Sequence, residues 1–137
     1  MIFLDTNVIA ESLKKEPDQA VMSWLERFDV ELALPTVTIA EIAYGIQKIR
    51  PGERSLKLER GLSSWRHRLA GRIFGLTEEA ALAYGEIMGL ATRRGRPMSE
   101  ADGMIAAIAR VNNGRLATRN LADFQITELD LISPWEF

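Results

Sequence analysis

Four short stretches of this chain carry an acid or an amide where an apolar run stops or a helix begins: "MIFLDTNVIA", "PTVTIAEIAYG", "SEADGMIAAIA" and "ATRNLADF". Their candidate site residues are Asp5, Glu41, Asp102, Asn120 and Asp123. Gathered at one place, these side chains would offer three to five hard oxygen donors. Carboxylates held that close repel, and each is pushed toward its protonated form unless a cation neutralises the set. The cluster therefore implies a metal, and oxygen-only ligands suit Mg²⁺ or Mn²⁺ and not zinc. Such a centre hydrolyses phosphate esters: the cation orients the phosphate, acidifies water and offsets charge on the leaving oxygen. The single histidine, His67, lies in an arginine-rich stretch and is not counted as a ligand. There is no cysteine, which excludes thiolate sites, a cysteine nucleophile and disulfides.

Each stretch has a second reading. Asp5 can cap a helix that starts behind it. Thr38–Glu41, Ser99–Asp102 and Asn120–Asp123 all have the spacing of a cap residue followed by a carboxylate near the positive end of a helix. Taken singly, capping explains each at least as well. Their joint occurrence where strands end and helices begin favours a shared site.

The elements that would position these residues alternate between short strands and helices. Ile2 to Leu4 reads as a strand, and Pro17 to Phe28 as a helix with Ala20, Val21, Trp24, Leu25 and Phe28 on one face. "VELAL" from Val30 is the second strand. Val37 to Ile49 is a helix burying Ile39, Ile42, Ala43, Ile46 and Ile49, and a third helix runs from about Glu53 to Leu69. "RIFGL" is a short strand. Glu78 to Arg94 is helical, with Leu82, Tyr84, Ile87, Met88 and Ala91 as core positions. Ala101 to Val111 is helical, "GRLAT" is a strand and "ELDLI" the last. Strands separated by helices predict an α/β protein with a parallel sheet covered on both faces. Ligands of such sheets sit outside the carboxyl ends of the strands, where the acids fall.

The chain has 137 residues, which predicts one domain spanning 1–137. Its longest uninterrupted apolar run, Met104 to Ala109, is six residues and far short of a membrane span. Asp5 and Glu11 precede any lysine, so the start does not read as a secretory leader. A soluble, cytoplasmic protein is expected. The formal charge is −2, so no overall basic field marks a nucleic-acid binder, although 13 of the 17 basic residues are arginines. Arg93, Arg94 and Arg96, and the set Arg66, Arg68 and Arg72, could meet phosphates but read first as solvated helix faces. Trp24 reads as core, Trp65 as core or partner surface, and Trp135 as an anchor for the C-terminus.

"FLDTNVIAE", "TIAEIAYG", "SEADGMIAAIA", "LATRNLADF" and the closing "ISPWEF", in that order across essentially the whole chain, together resemble a PIN domain of the VapC-like branch. These are ribonuclease toxins of bacterial and archaeal toxin–antitoxin pairs. The resemblance implies a three-layer α/β/α, Rossmann-like fold around a central parallel sheet. It implies a Mg²⁺ or Mn²⁺ centre, cleavage of single-stranded or loop RNA, inhibition by a small antitoxin protein, and a homodimer. Carried over by position, Asp5 and Asp102 are metal ligands, and Glu41 completes the acidic triad directly or through water. Asn7 and Thr118 match polar residues that position carboxylates or water. The departure is at the fourth acidic place, where many relatives carry aspartate and this chain has Asn120. That leaves one or two metals open. Asn120 is expected to face the site, and Asp123 to be mainly a cap.

Other α/β phosphate-handling folds fit worse. A phosphoryl-accepting receiver needs a lysine after a late strand, and the last lysine is Lys57; a haloacid-dehalogenase-like phosphatase needs an acid where Asn7 stands. The alternative that remains is a catalytically silent PIN-like module that binds RNA or protein, against which the retention of Asp5 and Asp102 counts.

Overall fold

The computed structural model describes all 137 residues. Five strands form one parallel sheet: β1 (Ile2–Leu4), β2 (Leu32–Pro35), β3 (Ile73–Phe74), β4 (Arg115–Ala117) and β5 (Leu131–Ile132), in the order β3-β2-β1-β4-β5. Seven helices connect them: α1 (Thr6–Ser12), α2 (Gln19–Arg27), α3 (Thr36–Lys48), α4 (Glu53–Arg68), α5 (Glu78–Arg93), α6 (Glu100–Val111) and α7 (Leu121–Phe124). The expected α/β/α architecture with a central parallel sheet is present. No helix is long and apolar enough to cross a membrane.

Alternation along β1 builds the three layers. Successive side chains on a strand point to opposite faces. Ile2 and Leu4 enter a core with Val8, Ile9, Trp24 and Leu34, under α1, α2 and α4. Phe3 enters a second core with Ile87, Ile105, Ile108 and Phe124, under α5 and α6. The residues of β1 and β2 are buried throughout, as expected of strands covered on both sides. α6 presses closely on α5 because residue 103 is glycine. A Cβ there would stand 2.5 Å from Met88 Sδ and 3.1 Å from Tyr84 Cε1.

The chain winds outward from β1 through β2 to β3, then returns to place β4 on the other side of β1. This reversal is a topological switch point, where neighbouring connections part and leave a crevice at the carboxyl ends of the strands. Asp5 immediately follows β1, α3 follows β2 without a loop, and Thr118 immediately follows β4.

Three expectations about elements are corrected. The seven-residue α1 is absent from the expected run of strands and helices and was allowed for only by the capping reading of Asp5; it starts one residue after Asp5 and spans about two turns. Leu82 is 69% exposed, because α5 turns the small stripe Ala80, Ala83, Ile87 and Ala91 inward instead. The arginines around His67 divide: Arg68 donates to Asp29 Oδ1 (2.6 Å) and lies over Trp65, and Arg72 donates to the carbonyls of Asp29 and Leu32. Those two clasp the chain. Trp65 itself is core, 6% exposed, with Nε1 donating to Ser12 Oγ at 2.9 Å.

Candidate active site at the carboxyl edge of the sheet

Asp5 stands at the centre of the crevice and is 3% exposed. Its Oδ1 accepts from the amide of Thr6 at 2.8 Å, capping α1. Its Oδ2 accepts from the Thr118 hydroxyl at 2.8 Å and from Asn7 Nδ2 at 3.2 Å. The cap reading and the site reading of Asp5 therefore both hold. A carboxylate offers roughly four lone-pair positions, so three donors leave about one free for an incoming ligand. Asn7 Oδ1 accepts from the Arg119 amide at 3.2 Å, and the Thr118 oxygen accepts from the Asn120 amide at 3.0 Å. These bonds lock the first turn of α1 to the end of β4, and Asn7 and Thr118 do position the carboxylate.

Burial raises the Asp5 pKa to about 6, with added repulsion from Asp102 and Glu41; the bonds from Thr118 and Thr6 oppose the rise without cancelling it. Three acids from three distant parts of the chain thus act on one another.

Glu41 is the sixth residue of α3 and is exposed. It accepts a short hydrogen bond from the Thr6 hydroxyl at Oε1. The capping reading of Thr38 and Glu41 fails here, since α3 begins at Thr36, directly off β2, with Pro35 in the cap position. Thr38 is instead fully buried, and its hydroxyl donates to the carbonyl of Leu4 at 2.9 Å. It ties α3 to the end of β1 and so sets where Glu41 stands. Sequence reasoning missed this role; a threonine two residues into a helix otherwise lined with apolar residues was the available signal.

Asp102 lies in the first turn of α6. Ser99 caps that helix, its Oγ accepting from the Asp102 amide at 3.2 Å, so this capping pair is real and leaves the Asp102 carboxylate at the site. Burial raises the Asp102 pKa, opposed by Ser99 and reinforced by the charges of Glu41 and Asp123.

The last pair departs from the sequence expectation. Asn120 occupies the N-cap position of α7, but its side chain makes no capping bond. Its φ of −98° and ψ of 65° depart from the extended backbone that a capping side chain needs. The four-residue α7 places Asp123 beside Asp102, and the two carboxylates line one cavity. Asp123 thus brings charge to the site and is not the cap it was expected to be, while Asn120 stays at the end of β4, joined through its amide to Thr118.

None of Asp5, Glu41, Asp102 and Asp123 forms an ion pair with a lysine or arginine. No ion pair within the protein neutralises the negative charge that converges here. Its donors are hard oxygens of the kind Mg²⁺ and Mn²⁺ prefer. No three acids stand close enough to enclose an ion by themselves. That arrangement suits a cation that keeps several waters and takes one or two carboxylates directly, as Mg²⁺ does.

Residues 2–127 match the PIN domain family. The chain is 38% identical over 138 residues to VapC ribonuclease Y4jK of Sinorhizobium fredii, covering 99% of each. It is 35% identical over 137 residues to toxin FitB of Neisseria gonorrhoeae, covering 98% of this chain and 99% of that one. The crystal structure of FitAcB from the same organism superposes with a TM-score of 0.92 at 33% identity, covering 100% of both chains.

Proposed function

The chain belongs to the PIN domain family, and from that premise we propose that it is a Mg²⁺- or Mn²⁺-dependent endoribonuclease, the toxin of a toxin–antitoxin pair. Residues 1–137 form one PIN domain, which works in the cytoplasm on phosphodiester bonds of single-stranded or loop RNA. The observation that carries this reading is the convergence of Asp5, Glu41 and Asp102 without an ion-pair partner; burial, with added repulsion from Asp102 and Glu41, raises the Asp5 pKa to about 6.

Asp5 and Asp102 would hold the cation, with Glu41 and Asp123 joining through water. When bound, the divalent ion supplies charge neutralisation at the phosphate and acidifies water. The protein does the positioning. Thr118, Asn7 and the Thr6 amide fix Asp5, and the Thr6 hydroxyl leaves Glu41 Oε2 free to take the proton of the attacking water. Asn120, whose backbone amide donates to Thr118, would orient water or a phosphate oxygen with its neutral side chain.

The partner is an antitoxin protein. A groove of about 740 Å³ between α1, α3 and α4 ends at Glu41. Leu13, Ile42, Ile46 and Ile49 give it apolar surface, and Lys15, Arg54 and Lys57, which form no ion pair, line it together with Glu53. This combination fits an amphipathic helix with acidic flanks. An arginine extended from it would reach uncompensated carboxylates. Exposed Tyr44 and Leu82 offer apolar surface for a homodimer.

The test is a cleavage assay on single-stranded RNA with Mg²⁺, Mn²⁺ or EDTA, repeated with Asp102→Asn. Cleavage confined to the metal and lost in the variant supports the reading. Binding without cleavage under every metal condition would replace it with the silent RNA- or protein-binding module.

A further inference from the structure

The carboxylate edge opens on the α5–α6 side into a second cavity, of about 520 Å³, and its chemistry is unlike that of the groove by Glu41. Asp102 and Asp123 lie on one side, Met98 and Ile126 add apolar surface, and Arg96 is the one cation of the lining. The volume falls within the roughly 300–1,000 Å³ of sites that hold small molecules. Arg96 takes part in no ion pair, although two carboxylates line the same cavity. Of the thirteen arginines only Arg50, Arg68, Arg110 and Arg115 have acid partners, so what sets Arg96 apart is the cavity it lines with Asp102 and Asp123.

The Arg96 backbone is held in place. Gly95 turns the chain with φ +65°, the Arg96 amide donates to the carbonyl of Ala91 at 2.9 Å, and the Ser99 cap starts α6 three residues later. A free guanidinium on a pinned turn is available to an anion from outside. Beside the carboxylates that would hold a cation, the anion that fits is a phosphodiester, bound between the two positive charges.

We infer that this cavity is a nucleotide subsite of the cleavage centre, in which Arg96 grips the phosphate next to the scissile one while Met98 and Ile126 pack against the attached ribose or base. The inference rests on the ribonuclease reading and adds direction to it: the RNA strand leaves the carboxylates across the α5–α6 turn, and the opposite flank is left to the protein partner. Arg96 is a substrate-binding residue and takes no part in proton transfer.

The experiment measures binding of a fluorescent single-stranded RNA to Asp5→Asn protein in Mg²⁺, with and without Arg96→Ala or Arg96→Lys, across a salt series. Asp5 does not line this cavity, so the background variant stops cleavage with Arg96, Met98 and Ile126 in place, and any weakening of the cation is common to all the proteins compared. Arg96→Ala should weaken binding about tenfold and reduce the slope of log affinity against log salt by about 0.7, the share of one phosphate contact on a single strand. Arg96→Lys should recover most of the affinity, and in otherwise unmodified protein Arg96→Ala should raise KM with kcat little changed. Unchanged affinity and salt slope would overturn the subsite while leaving the ribonuclease reading standing. Loss of antitoxin affinity with RNA binding intact would overturn it as well, and make the cavity a protein contact. Absence of RNA binding in every variant would overturn both readings together.

Discussion

The hydroxyl of Thr6 donates to Glu41 Oε1 while its backbone amide donates to Asp5 Oδ1, so one residue holds two carboxylates that come from different strand ends. The amide bond survives any substitution except proline; the hydroxyl bond survives only serine. Thr6→Val keeps the β-branched shape and should leave the melting temperature nearly unchanged. A lost hydrogen bond to a charged group is worth about 1.5–3 kcal/mol where it is buried, and less at exposed Glu41, so a fall in kcat of roughly tenfold is expected. Thr6→Ser should restore it. Equal kcat in Thr6→Val and the parent would show that Glu41 needs no such hold.

The buried acids predict how stability depends on pH when metal is absent. The Asp5 pKa rises from 3.8 to about 6 on folding, so between those values the native state binds the extra proton, and stability falls as pH rises through that window. Glu11 acts in the opposite sense. It is 5% exposed, accepts from Lys14 Nζ and from the Asp18 amide, and its pKa is lowered from 4.5 chiefly by the Lys14 bond. Its contribution is present above 4.5 and is lost as pH falls through its lower folded value. In EDTA, denaturant melts should therefore find a maximum near pH 4, by about a unit either way. Asp5→Asn should flatten the decline between about pH 4 and 6, and a decline of unchanged slope in that variant would remove Asp5 as its cause.

Divalent cation should reverse that decline, since a ligand that binds only the folded state stabilises it in proportion to the logarithm of its concentration. The Mn²⁺-induced rise in melting temperature at pH 7.5 should vanish in Asp102→Asn. A rise of the same size in the variant would show that the ion binds elsewhere.

Calorimetric Mn²⁺ titration separates the two residues at the end of β4. Asp123→Asn should weaken binding severalfold, because Asp123 places its charge beside Asp102. It should cost little stability, because its carboxylate caps nothing. Asn120→Asp should tighten binding, as an added carboxylate strengthens a hard-cation site. Undiminished affinity in Asp123→Asn would return the fourth place to Asn120 alone.

Ile49, 39% exposed at the end of the apolar groove, tests the partner surface. Ile49→Asp puts a charge where the antitoxin helix would bury an apolar side chain, a contact worth about 1.5–3 kcal/mol. Inhibition by the antitoxin should weaken at least tenfold while metal-dependent cleavage persists. Inhibition at the original concentration would place the antitoxin on another face.

The order of strands and helices was legible because short β-branched or aliphatic runs alternate with helical periods, and the acids were legible because they stand at the junctions. What was hidden depended on contacts between distant segments. Thr38 looks like a cap until β1 is seen to end at its hydroxyl. Asp123 has the spacing of a cap after Asn120, yet the one-turn helix carries its carboxylate to Asp102. Leu82 is the largest apolar residue of its helix turn and still faces outward, since α5 must bring alanines against α6 where Gly103 lets the two helices close up. Arg96 looked like one more solvated arginine, and only the cavity it shares with the two acids distinguishes it.

The placement of β4 beside β1 has a consequence for the chain during its own synthesis. Asp5 and Glu41 are made early, but the hydroxyl that fixes Asp5 belongs to Thr118, 113 residues later, and Asp102 arrives only with α6. Chains emerge from the ribosome N-terminus first. A nascent polypeptide that has already formed β1, β2 and β3 still lacks one wall of the crevice, and its exposed edge at β1 waits for a strand not yet translated. A site that needs Asp5, Glu41 and Asp102 together, with Thr118 to fix the first of them, is therefore incomplete on every nascent chain until β4 has docked.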